Sequence, residues 1–111
     1  MLSLNIKKNN GLTIIYLHGS IETETIKKFE IDTNNVIKTN ISILVLDFTN
    51  VERIDSVGIS HLLKLSRKAI LSDIELIFSE LNHSLKRLFE TAKMDKFFNI
   101  LTNDALKEKY F

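Results

Sequence analysis

ILVLDFTNVERIDSVGISHLLKL, residues 43–65, carries a strand, a turn and a helix start within one short span. Its opening, with Ser42, is the most continuous apolar run of the chain (residues 42–48), the composition of a central strand covered on both faces. Asp47-Phe48-Thr49 reads as the turn out of that strand, with Asp47 fixing it. Asp55 and Ser56 are both capping residues by type, since a side-chain oxygen there accepts from otherwise unpaired first-turn amides. From about 57 to 71, Ile59, Leu62, Leu63 and Ile70 recur at helical spacing and predict an inward face. Strand, turn and helix in that order predict an α/β unit.

One residue in this span sits badly with its surroundings. The chain has three glycines and no proline, and Gly58 falls just inside the helix, where glycine costs about 1 kcal/mol relative to alanine. Capping by Asp55 or Ser56 does not require it. A bare main chain at this point is read as room for another molecule to approach the helix start closely. On the outward face Ser56, Ser60 and Lys64 follow at i+4 steps, which suggests a flat polar contact patch centred on a hydroxyl.

Working outward, residues 2–8 and 12–18 predict two strands joined by a tight turn at Asn10-Gly11, with Gly19 closing the second. Thr23 is the expected cap of a helix over about 24–39, with Glu24 in its first turn and Ile26, Phe29, Val36 and Ile37 on one face. IELIFSE (74–80) predicts another strand, and Asn82 caps a helix whose Leu85, Leu88, Phe89 and Ala92 repeat at 3–4 spacing. A short apolar piece around Phe97 to Leu101 and a helix over about 103–110 complete the chain. No repeat, linker or low-complexity segment interrupts it. The expectation is one α/β domain over residues 1–111, a mixed sheet of four to five strands packed with four to five helices.

Composition narrows the chemistry. At 44% hydrophobic and 26% charged, the 111 residues have ordinary globular values. A formal net charge of +1 argues against a direct nucleic-acid binder, and the absence of cysteine removes disulfides and thiolate chemistry. His18, His61 and His83 lack metal-ligand spacing, and no glycine-rich phosphate cradle or nucleophile elbow is present. No cofactor and no metal are expected. Asp47 ends its predicted strand where phosphate-accepting receiver domains hold an aspartate. Residues 2–20, however, contain no carboxylate to build the magnesium pocket such domains need. Lys64, Arg67 and Lys68 read as the solvated back of a helix. The N-terminus lacks a signal pattern and no run is long enough to cross a bilayer, so a cytoplasmic chain without membrane association is expected.

The span 43–65 resembles the central segment of the STAS domain, the fold of anti-sigma factor antagonists. Asp47-Phe48-Thr49 and Ile54-Asp55-Ser56-Val57-Gly58-Ile59 match the family's D-[LF]-[ST] and hydrophobic-Asp-Ser-x-Gly-[LI] elements in order and spacing. Gly19-Ser20-Ile21-Glu22 sits where the family has G-x-[LI]-D, Leu85-Lys86-Arg87-Leu88-Phe89 matches its V-x-R-[LV]-[LF] helix, and Met94-Asp95-Lys96-Phe97-Phe98 fits its close. The departures are Val57, Glu22 for the usual aspartate, Leu71-Ser72-Asp73 for a glycine-rich turn, and Lys93 where glycine is common.

The resemblance implies a free-standing, phosphorylatable member that does no catalysis of its own. Its partner would be an anti-sigma factor that is also a serine kinase, with Ser56 as the acceptor and a cognate phosphatase resetting the switch. The implied partner surface is Glu22, Thr23, Asp55, Ser56, Val57, Gly58, Ser60, His61 and Lys64, with the kinase's nucleotide cleft closing over Gly58. Two alternatives stay open: a STAS scaffold in a signalling complex, and a small-ligand or nucleotide-binding module using the helix start.

Overall fold

Period-2 patterning in the strands and 3.6-residue patterning in the helices produce a layered α/β arrangement. The computed structural model describes residues 1–9, 11–94, 96 and 98–110, so Asn10, Asp95 and Phe97, named above, lie outside the described residues. In chain order the elements are β1 (Leu2–Asn9), β2 (Leu12–Ile21), α1 (Ile26–Ile37), β3 (Ile43–Ile54), α2 (Ser56–Leu71), β4 (Glu75–Ser79), α3 (His83–Thr91), β5 (Asn99–Leu101) and α4 (Asn103–Tyr110). The sheet order is β1-β2-β3-β4-β5. β1 and β2 form the antiparallel hairpin, Asn9 opposite Leu12, and β2 to β5 run parallel.

Alternate strand residues feed two cores. Ile15, Leu17, Leu44, Leu46, Leu76 and Phe78 pack against Phe29 and Val36 of α1, Leu62, Leu65 and Ala69 of α2, and Leu85 and Phe89 of α3. Phe48, Phe78, Phe89 and Phe98 meet there, Phe78 and Phe98 stacked with ring centres 3.7 Å apart. On the opposite face Leu12, Ile14, Val45 and Ile77 lie under Leu106 of α4. Among the described residues no helix is long and apolar enough to cross a membrane.

Several expectations are corrected. β3 runs to Ile54, so Asp47-Phe48-Thr49 is not a turn out of the strand. Between Tyr16 and His18, β2 advances two residues while β3 advances three, Asp47 to Asn50; the same slip recurs between Gly19 and Ile21. These bulges absorb the extra residues of Thr49 to Arg53, so that Asn50, Val51 and Ile54 stay paired to β2 despite a polar, loop-like composition. Buried Asp47 holds the first bulge, its Oδ1 accepting the Thr49 amide at 2.8 Å. β2 correspondingly runs through Gly19, which lies at φ +116° with the Met1 carbonyl where a Cβ would go.

The helices differ in detail too. α1 starts at Ile26 behind Thr25, leaving Thr23 and Glu24 in the loop before it. The buried stripe of α2 is Leu62, Leu65, Ser66 and Ala69, which rotates Ile70 outward to 58% exposure. In α3, Leu85 and Phe89 are buried and Leu88 half-buried, whereas Ala92 caps the end in solvent. α2 and α3 close with Asp73 and Lys93 at φ +59° and +57°, the two places where the family resemblance has glycine. The backbone bonds Ile74 N–H to Ala69 and Met94 N–H to Phe89 complete each reversal, and buried Ile74 and Met94 anchor them.

Candidate functional site

The parallel strands β2 and β3 end side by side, bringing the loop Glu22–Thr25 against the start of α2. Asp55 ties them together. As the α2 N-cap, its Oδ1 accepts the Gly58 amide at 2.9 Å. Its Oδ2 accepts from the Thr23 amide at 3.0 Å and the Thr23 hydroxyl at 2.9 Å, and its own amide donates to the Ile21 carbonyl at 3.3 Å. Thr23 therefore binds across the loop to Asp55 instead of capping α1. Gly58's amide first, and Thr23's next, hold the Asp55 carboxyl below its ordinary value, because each favours the ionised form.

Thr25, buried beneath, accepts the Glu22 amide and donates to the Ser20 carbonyl at 2.6 Å. Arg53 pairs with Glu22 at 3.3 Å on the surface. Neither Thr25 nor Arg53 was singled out by sequence pattern. A threonine three residues after a loop glutamate signals a local side-chain turn only once the α1 start is known.

Gly58 requires a correction of its reason. It is buried, and a Cβ there would overlap the Ile21 carbonyl oxygen and lie 2.9 Å from Ile54 Cγ2. The space is filled by the end of β2. No cleft, kinase or ligand needs to enter it. The glycine lets the first turn of α2 rest on the β2 main chain, which fixes where Ser56 stands.

With Asp55 holding the cap, Ser56 takes the first helical position and its side chain is exposed. Ser60 and Lys64 are exposed along the same stripe, and Val57 is half-buried. His61 turns toward α1, its Nδ1 3.0 Å from Glu30 Oε2, which Lys64 Nζ approaches at 3.5 Å. Lys68 donates to Asn34 Oδ1 at 2.8 Å. Lys64 and Lys68 thus bridge to α1, correcting their reading as a purely solvated helix back; Arg67 stays exposed. Glu30, which gathers His61 and Lys64, carries no sequence signal beyond its place on α1.

The result is an exposed hydroxyl on a preorganised helix start, flanked by one carboxylate whose two oxygens are already engaged. Among the described residues no group of three or more histidine or acidic side chains is placed to hold a metal.

The comparisons agree with this architecture. A structure of an anti-sigma factor antagonist from Mycobacterium paratuberculosis matches with a TM-score of 0.85 at 21% identity, covering 97% of this chain and 93% of that one. A structure described as a putative anti-sigma factor antagonist from Thermotoga maritima matches with a TM-score of 0.87 at 16% identity, covering 96% and 93%. The Bacillus cell fate determinant SpoIIAA in its phosphorylated form matches with a TM-score of 0.72 at 12% identity, covering 96% and 98%. At these identities the likeness is one of fold. The family model of the STAS domain matches residues 3–108, and the chain belongs to the STAS-domain family.

Proposed function

We propose that this protein is an anti-sigma factor antagonist whose partner is an anti-sigma factor with serine kinase activity. The unmodified protein binds that partner through Glu22, Thr23, Asp55, Ser56, Val57, Ser60, His61 and Lys64, and so releases the sigma factor. Gly58 contributes by seating the helix, not by contact. The kinase transfers the γ-phosphoryl group of ATP to Ser56 Oγ. A P–O bond to serine forms, the β–γ anhydride bond breaks, and the hydroxyl proton leaves. A phosphatase reverses the mark by hydrolysis. The protein supplies a substrate hydroxyl and no catalysis, and it works in the cytoplasm.

The observation that carries this reading is the division of labour at positions 55 and 56. Asp55 caps the helix, so the exposed Ser56 hydroxyl is not spent on folding. The family relationship and the fold shared with SpoIIAA, solved in unphosphorylated and phosphorylated forms, are consistent with it.

Phosphate on Ser56 adds about −1.5 to −2 charges at neutral pH beside a helix N-terminus, which tolerates them. The fold survives. Asp55 cannot swing away without giving up its bonds to Gly58 and Thr23, so the added charge stays next to a fixed carboxylate. The switch acts by filling and charging an interface. Ser56→Ala keeps partner binding, whereas Ser56→Asp weakens it by a factor that shrinks at high salt, since screening reaches about 10 Å at 0.1 M. Calorimetry of both variants at two ionic strengths tests this, and equal, near-native affinities would place Ser56 outside the interface.

A further inference from the structure

The outward stripe of α2 does not end at Lys64. It continues through Arg67, three residues on, to Leu71, four further, and Leu71 is 88% exposed beside the exposed Ile70. Across from it, the end of α1 completes a shallow groove lined by half-buried Ile37 and exposed Leu71 together with Lys38 and Lys68. None of the groove's lining residues is acidic, and exposed Asp73, next to Ser72, is the one carboxylate adjoining them in sequence. Cations near helix C-termini complement the helix dipoles, which accounts for Lys38 and Lys68. That does not account for a large apolar side chain left in water at the same place.

We propose that this groove docks an acidic segment of a partner protein bearing a large apolar side chain. The partner's carboxylates meet Lys38, Arg67 and Lys68, and its apolar group settles between Ile37 and Leu71. The proposal rests on the preceding one in that the partner is the protein that covers Ser56. From position 56 to position 71 the helix advances about 22 Å at about 1.5 Å per residue. That exceeds the roughly 10 Å over which salt leaves a surface charge visible. Phosphate on Ser56 therefore releases the near contact and leaves this one intact. The groove is an anchor that does not sense the switch.

The test uses the full chain and a synthetic peptide of aspartate and glutamate around a central leucine. Its twin has lysine in place of every acidic residue. Titrated into isotope-labelled protein, the acidic peptide is expected to shift the amides of Ile37, Lys38, Lys68 and Leu71. Leu71→Ser weakens it roughly tenfold, the equivalent of one buried leucine. Lys38→Glu combined with Arg67→Glu abolishes the shifts, while Ser56→Asp leaves the affinity unchanged. Leu71 and both cations are exposed, so these variants fold.

Equal binding of the lysine twin, shifts on another face, or loss with Ser56→Asp overturns the proposal. Tighter binding to anionic phospholipid vesicles than to the peptide, weakened by the same substitutions, overturns it in favour of a membrane surface. A dimer that Leu71→Ser dissolves overturns it in favour of a second copy. No kinase or ATP enters the titration, so its failure leaves the Ser56 proposal standing, and an unmodified Ser56 leaves the groove standing.

Discussion

Replacing Gly58 by alanine tests how the site is built. By helix propensity alone the change stabilises, by about 1 kcal/mol. The structure predicts the opposite sign. The new methyl group meets the Ile21 carbonyl oxygen and carbon, and Ile54 Cγ2 at 2.9 Å. The carbonyl is main chain and also accepts the Asp55 amide, so it cannot rotate away. Relief requires lifting the first turn of α2 off β2. Overpacking of this kind costs about 1–3 kcal/mol, and loss of the Asp55–Ile21 bond adds about 1 kcal/mol. Against the propensity gain, the net is a loss of about 2 kcal/mol, or roughly 8 °C in Tm for a domain of this size. Thermal and urea unfolding followed by circular dichroism measures both. An unchanged or raised Tm would show that the helix start does not rest on Ile21, and the account of how Ser56 is positioned would fall with it.

Asp55→Asn should flatten part of the acid limb of the stability curve. The Asp55 carboxyl lies below its ordinary value in the folded chain, so its contribution is present above the unfolded value of about 3.9. It is lost as pH falls through the lower folded value, and acid titrations of the two proteins that superimpose would contradict this. Lys93→Gly should raise stability by a few tenths to about 1 kcal/mol, because Lys93 holds a left-handed backbone at φ +57°. A lower urea midpoint would refute it.

Much of the fold was legible because hydrophobic periodicity reports burial directly. The start of the central strand, the Asn82 cap, the Asp55 cap and the final helix fall where pattern and capping chemistry put them. The errors share a cause, which is that a partner distant in sequence overrode a local preference. Thr23 reads as an α1 cap until Asp55, thirty-two positions away, takes its hydroxyl. Thr49 to Arg53 reads as loop because bulges rotate their polar side chains outward while the ladder to β2 persists. Gly58 drew attention correctly, but its neighbour is the chain itself, and no local pattern shows the Ile21 carbonyl arriving there. The exposure of Ser56 was legible from its i+4 spacing with Ser60 and Lys64 on the face away from the apolar residues, whereas which of Asp55 and Ser56 caps the helix was not.

Incubation of the purified protein with the proposed partner kinase and ATP, followed by intact mass and peptide mapping, reads the acceptor residue itself. One phosphate per chain is expected, on Ser56 and not on Ser60 one turn further along α2. A chain left unmodified, or modified mainly on Ser60 or Asp47, would contradict it.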